Sequence, residues 1–269
     1  MPGYILAVLC AIGALGYLFI VLRAVGAFRP LRLVAPSSWT ARHSVGIFFL
    51  YLLLMAAAAV LSAETAHALN IADSSGRYLV VQFAFTYALT AVAIVAVFFV
   101  ASRGALPLEA LGFRSASFAT SLKRGFALFL LYLPMQILIP FLIGLAWNAV
   151  TGHYPEEQEA VRLIETASPA LLAVIAVAAC ILAPFFEEVI FRAFIQRGLE
   201  TTFGPGFAIV ITTALFCGIH EGIAAKIALV PLALILSLAY HRSRDIVANI
   251  TFHALFNAAS LVVAVLSRR

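Results

Sequence analysis

The chain has 269 residues, of which 64% are hydrophobic and only 11% are charged, and its mean hydropathy is +1.08. Soluble globular domains are about half apolar and about a quarter charged, so this composition excludes a soluble enzyme, a nucleic-acid binder and a disordered linker. The formal net charge of +5 therefore indicates membrane orientation and not a polyanion partner. Cys10, Cys180 and Cys217 lie in apolar runs without metal-type spacing, and we expect them to be small core residues.

Eight stretches have, or nearly have, the roughly 20 apolar residues that a helix needs to cross a bilayer. In chain order they are 3–22, 45–63, 78–101, 126–147, 169–191, 205–221, 224–240 and 246–266. No basic segment precedes the first stretch, which is also longer than the apolar part of a signal peptide, so we expect a retained helix. The sequence predicts an all-α fold, a polytopic transmembrane helical bundle of about eight transmembrane helices.

Lysine and arginine are unevenly divided between alternate loops. The loops on one side hold 12 of them and the loops on the other side hold 5. An excess of these residues marks the cytoplasmic side, so both chain ends are predicted to lie outside.

Three polar clusters interrupt the last hundred residues, and an ionisable group inside a membrane helix marks a functional site by default. In the first cluster, Glu188 and Arg192 are four residues apart and are predicted to pair on one helix face. Glu187 points about 100° around the helix, so we expect its carboxylate to stay free as a base. Pro184 removes a backbone donor and is expected to loosen the helix. The alternative is a helix end at which the pair reaches the cytoplasmic surface.

The other two clusters contain histidine and asparagine. Phe216 and His220 share a helix face, and Asn249, His253 and Asn257 form a polar stripe at four-residue spacing. Such a stripe must face protein or a water-filled cavity. Interfacial residues and helix–helix hydrogen bonds explain each cluster alone. Together the clusters supply the groups of a general base, its partner and an oxyanion hole.

These clusters resemble three ordered motifs of the CPBP family of intramembrane proteases, which includes type II CAAX prenyl endopeptidases and bacteriocin-processing or immunity proteins. In this chain the motifs are Glu187-Glu188-x-x-x-Arg192, Phe216-x-x-x-His220 and His253-x-x-x-Asn257. The resemblance covers about 170–266 and, less specifically, 106–170, where the Leu111–Arg114 step is similar to one that often precedes the family's core. We therefore divide the chain into N-terminal transmembrane helices without diagnostic motifs, 1–104, and a CPBP-like protease core, 105–269.

The resemblance implies an intramembrane endopeptidase that hydrolyses a peptide bond at or within the membrane. Glu187 and His220 would activate water, and His253 and Asn257 would stabilise the oxyanion. The supporting residues would be Glu188, Arg192, Phe216 and Asn249. The expected partners are the lipid bilayer and a membrane-associated peptide or protein, prenylated or not, and no nucleic acid.

The family is described both as metal-dependent and as using a metal-free glutamate. Glu187, His220 and His253 would have plausible ligand types for zinc, with an open fourth position. We favour a site without cofactor, because Asn257 suits an oxyanion donor better than a zinc ligand. A compact, alanine-rich chain is typical of a bacterial member, so we expect a multi-pass protein of the bacterial inner membrane.

Two functions of other classes stay open. Intramembrane Glu, Arg, His and Asn also build the pathways of proton-coupled transporters, although the chain shows no duplicated half. The second open function is that of a non-catalytic bacteriocin-immunity or scaffold protein. The polar residue present at every motif position argues against an inactive enzyme. One conflict also remains, because the predicted spans place His220 towards the outer end of its helix and Glu187 in the cytoplasmic half. A tilted or offset helix, a turn at 198–206 that dips into the membrane, or a wrong span count would each explain it.

Overall fold

The computed structural model describes residues 2–27, 29–31, 33, 36–72, 75–102, 107–113, 117–155 and 159–267. Within these ranges the chain forms helices and no strand, which confirms the predicted all-α class. Several arginines on which the orientation prediction depends lie outside the described residues, namely Arg32, Arg103, Arg114, Arg268 and Arg269.

The described helices follow the predicted order. They are α1 (Pro2–Ala24), α2 (Ala41–Ala68), α3 (Gly76–Ala101), α4 (Pro107–Ala110), α5 (Phe118–Thr151), α6 (Glu159–Thr166), α7 (Pro169–Val177), α8 (Ala183–Glu187), α9 (Arg197–Phe203), α10 (Pro205–Gly218), α11 (Ile223–Ser243) and α12 (Ile246–Leu266). Two π-helical segments, π1 (Ala178–Leu182) and π2 (Glu188–Gln196), join α7, α8 and α9 into one continuous helix.

Six of these helices are long and apolar enough to cross a membrane. They are α2, α3, α5, the continuous helix Pro169–Phe203, α11 and α12. Two shorter apolar helices, Cys10–Ala24 and Pro205–Gly218, bring the number to between six and eight. The protein is therefore a multi-pass helical membrane protein.

The length of α10 bears on the conflict over the position of His220. With 14 residues, α10 is about 21 Å long at 1.5 Å per residue. This length is less than the roughly 30 Å of a bilayer's hydrocarbon core. The helix ends at Gly218, so His220 lies in the short connection to α11. Of the three explanations, this short helix favours an error in the predicted span over 205–221.

The connection between α11 and α12 ties several helices together at one end of the bundle. The guanidinium of Arg242 donates hydrogen bonds of 2.6 to 2.9 Å to three carbonyl oxygens in 26–30, just after α1. The buried carboxylate of Asp245 accepts hydrogen bonds from Ser121 (2.8 Å) and Arg124 (3.3 Å) of α5. These contacts hold the start of α12 in place, and α12 carries His253.

A glycine lets α5 approach α12 closely. A Cβ atom built on Gly125 would lie 2.5 Å from the Ala248 carbonyl oxygen and 2.5 Å from the Cβ of Thr251. Only a residue without a side chain fits this crossing, since small residues let the backbones of membrane helices meet.

We expect Gly125→Ala to lower the melting temperature of the purified protein, because overpacked cores typically lose about 1–3 kcal/mol. Gly46→Ala is the matched control, because a Cβ on this helical glycine of α2 meets no atom within 4 Å. Thermal unfolding in detergent, followed by circular dichroism, measures both. Equal melting temperatures for the two variants would contradict a tight α5–α12 contact.

Candidate active site

The acidic motif lies in the continuous helix at the junction of α8 and π2, because Glu187 ends α8 and Glu188 begins π2. π-helical hydrogen bonds run over five residues instead of four, and such turns are frequent at functional sites. The N–H of Ala183 bonds to the carbonyl of Ala178 in this register. The next bond in the register would join residue 184 to Ala179, but Pro184 has no N–H to donate. The Ala179 carbonyl therefore needs another donor, as expected from a helix loosened by proline.

Asn257 of α12 is that donor. Its Nδ2 atom donates a hydrogen bond of 2.7 Å to the carbonyl of Ala179. This contact fixes the amide against π1 and leaves the second N–H of the amide for another acceptor. Among the predicted site residues, Asn257 is thus held by the backbone of π1.

The carboxylate of Glu188 accepts three hydrogen bonds. Its Oε1 atom accepts from Arg192 Nη1 at 2.9 Å and from His253 Nδ1 at 3.0 Å. Its Oε2 atom accepts from Asn249 Nδ2 at 3.1 Å. The side chains of Glu188 and Arg192 are both 0% exposed, so this is a fully buried ion pair at the predicted spacing. A buried charge requires such partners, because desolvation without them is very costly.

The position of His253 follows from Glu188. A carboxylate can only accept a hydrogen bond, so the Nδ1 atom of His253 carries the proton that it donates to Glu188. The other ring nitrogen, Nε2, is free to face a different group. That Nε2 atom lies 3.8 Å from Oε2 of Glu187. The side chain of Glu187 is 18% exposed, and its Oε2 atom has no hydrogen-bonding partner among the described residues. The two adjacent acids therefore occupy different environments. Both oxygens of Glu188 accept hydrogen bonds, whereas Oε2 of Glu187 accepts none from the described residues.

Phe216 brings the remaining motif into contact with this group. Its buried ring lies under the guanidinium of Arg192, 4.1 Å from Cζ to the ring centroid, in a cation–π geometry. The rings of His220 and His253 lie 4.8 and 5.8 Å from the same centroid. The Nδ1 atom of His220 donates to the carbonyl of Phe216 at 2.7 Å, which leaves its Nε2 atom available. The three motifs thus meet around one phenylalanine.

Two tyrosines of the N-terminal helices also contribute to the site, and the sequence did not indicate them. The Tyr87 hydroxyl donates to the carbonyl of Ala178 at 2.9 Å, and its ring stacks on Phe186. Tyr51 packs edge-on against Phe191, 6.0 Å between centroids. The only available signal was that a tyrosine buried in an apolar helix needs a partner for its hydroxyl.

No group of three or more His, Cys, Asp or Glu side chains within the described ranges is arranged to hold a metal ion. Of the three zinc ligands considered from the sequence, Glu187 and His253 face each other, and the Nε2 atom of His220 is left available by the bond from its Nδ1 atom to a backbone carbonyl.

We expect Glu188→Ala to destabilise the protein strongly, because removing one partner of a buried ion pair costs about 3–5 kcal/mol. Glu187→Ala is the matched control, since this neighbouring carboxylate pairs with no arginine. The yield of folded protein and its melting temperature in detergent compare the two variants. Equal stability would show that Glu188 is not the structural member of the pair.

Comparisons with known proteins agree with the motifs. Residues 169–259, about a third of the chain, match the family model described as "Type II CAAX prenyl endopeptidase Rce1-like". No curated protein and no solved structure matched the chain. The matched range includes every residue of the three motifs, so the family resemblance is confirmed there. Residues 169–259 of this multi-pass membrane protein are therefore similar to the type II CAAX prenyl endopeptidases, and that similarity implies protease activity on membrane-associated peptides or proteins.

Proposed function

We propose that the protein is an intramembrane endopeptidase in which Glu187 is the general base. The proposal rests on one observation: the Glu187 carboxylate has an oxygen without a hydrogen-bonding partner, and that oxygen faces a histidine whose ring is held in place. Oε2 of Glu187 lacks a partner among the described residues and faces Nε2 of His253, whose other nitrogen is held by Glu188. A base needs an unsatisfied acceptor in reach of the water that it activates.

Water activation is the first step. Arg192 is already bonded to Glu188, so the neighbouring arginine does not take up the Glu187 carboxylate. A water molecule held between Glu187 and Nε2 of His220 gives a proton to Glu187 as its oxygen attacks the scissile carbonyl carbon. The new C–O bond makes a tetrahedral intermediate, and the carbonyl oxygen takes up the electron pair of its π bond.

The developing oxyanion requires donors. Asn257 keeps one amide N–H after its bond to Ala179. His253 donates from Nε2 when its ring carries both protons. Fixed donors of this kind are most effective in a site with little water, where charges are poorly screened. In the last step the C–N bond breaks and the proton on Glu187 passes to the leaving amine, so one water is consumed for each bond cleaved.

We expect Glu187→Gln and His220→Ala each to abolish cleavage, since losing a general acid–base group costs about 10²–10⁴-fold in rate. Purified protein in proteoliposomes is incubated with membrane-associated peptides, and products are identified by mass spectrometry. Glu64→Gln, at an exposed glutamate of α2, is the matched control. Near-normal cleavage by either site variant, in folded protein, contradicts the assignment.

The finer assignment is CAAX-type processing, in which a C-terminal tripeptide is removed from a prenylated protein. The same CAAX peptide, farnesylated and unmodified, tests it. Cleavage of the farnesylated form alone supports this substrate class. Cleavage of both forms at equal rates keeps the protease and removes the prenyl requirement.

We expect cleavage to survive removal of metal ions. Protein is dialysed against a strong chelator, its metal content is measured by atomic emission, and activity is assayed in metal-free buffer. If activity is lost and returns specifically with Zn²⁺, then Glu187, His220 and His253 become the candidate ligands, because their types suit zinc.

A further inference from the structure

A line of buried polar side chains continues from the candidate site along the continuous helix. Arg192, Gln196 and Glu200 follow Glu188 at intervals of four residues. All four side chains are buried, and Arg192 and Gln196 are fully buried. From 188 to 200 the line spans three four-residue steps of the continuous helix, the first two of them within π2. The proteolytic mechanism uses none of the residues beyond Arg192.

Helix α11 provides partners at the same interval. The contacts are Arg192 Nη2 to Ala233 O at 3.5 Å, Gln196 Nε2 to Ser237 O at 2.9 Å, and His241 Nδ1 with Glu200 Oε1 at 2.9 Å. Gln196 also donates to Glu200, and Arg244 forms an ion pair with the same carboxylate. We call Arg192, Gln196, Ser237, Glu200, His241 and Arg244 the polar column.

The polar column is only partly satisfied by protein. Buried atoms without a hydrogen-bonding partner in the described part of the chain occur at several levels along it and beside Glu188. They are Asn249 Oδ1, Arg192 Nε, Gln196 Oε1, Ser237 Oγ, and Arg244 Nε and Nη1. Leaving a buried donor or acceptor unsatisfied is costly, because the group has lost its bonds to water. Donors and acceptors both occur in this set, and buried water satisfies such groups when it has two to four polar partners.

More accessible side chains lie at one end of the polar column and beyond its other end. The side chain of Arg244 is 15% exposed, beside the α11–α12 connection, and that of Glu187 is 18% exposed at the opposite end. Between them, Gln196, Ser237 and Arg192 are 0% exposed. A dry contact between two helices would not need unpaired polar atoms at successive levels, since each costs free energy.

We propose that the polar column binds a chain of water molecules that connects the α11–α12 connection with the Glu187 side chain. Water is small enough to bond to the unpaired donors and acceptors, and it satisfies both kinds. Its use as the hydrolytic co-substrate rests on the proposed function, because proteolysis consumes one water for each bond. The hydration of the polar column does not depend on that function.

A silver-reactivity experiment tests the hydration directly. Cys10, Cys180 and Cys217 are replaced by alanine, and Ser237→Cys is then compared with Leu236→Cys. Positions 236 and 237 are neighbours on α11, and both are 0% exposed. Ag⁺ replaces the thiol proton where water reaches the sulfur, and the thiols that remain are counted with maleimide after denaturation.

We expect the thiol at 237 to react at least about tenfold faster than the thiol at 236, because thiols in apolar surroundings are inert. The cavity left at Leu236 is apolar and stays dry. Equal, slow reaction at both positions overturns the proposal. If Ser237→Cys does not fold, Gln196→Cys against Ile195→Cys gives the same comparison, because both of these residues are buried in π2.

Gln196→Met separates the supply of water from proteolysis itself. Methionine fills a similar volume without a strong donor or acceptor, so we expect slower silver reaction of the thiol in the Ser237→Cys background and a lower kcat with KM unchanged. Unchanged silver reactivity and kcat would overturn the proposal. Normal cleavage by Glu187→Gln protein with a reactive 237 thiol would instead overturn the assignment of Glu187 as the general base and leave the hydrated polar column unaffected.

Discussion

The rest of the site depends on one interaction, the hydrogen bonding of the buried Glu188 carboxylate to three donors. A charged group at this depth is retained only if its lone pairs are used, so Arg192, His253 and Asn249 are drawn to it from two helices. Three consequences follow at once. The arginine is neutralised, the imidazole ring is oriented, and the adjacent Glu187 carboxylate stays available.

Much of this arrangement could be predicted from the sequence because it depends on local spacing. Apolar runs define membrane helices through their length alone, and charges are scarce enough here for a pair inside a run to stand out. The spacing of Glu188 and Arg192 was interpreted on an α-helix, yet the pair lies in π2. The prediction survives because residues four apart stay near one another in both kinds of turn.

Other features could not be predicted because they depend on contacts between distant segments. The depth of His220 depends on where α10 ends, and no hydropathy window gives that end. Tyr87 meets Ala178 across 91 residues, and Glu200 meets His241 across 41. Polar residues of these types also occur at helix ends on protein surfaces, so their convergence becomes visible only once the helices are packed.

Pro184 shows how a residue can matter through its main chain alone. The missing N–H releases one carbonyl oxygen, and an amide of another helix occupies it. Any other amino acid here, however well its side chain packs, would bring back a competing N–H donor. Substitution scales based on volume and hydrophobicity would therefore rank alanine or leucine as conservative at 184, although either would add a backbone donor that competes for the carbonyl bonded to Asn257.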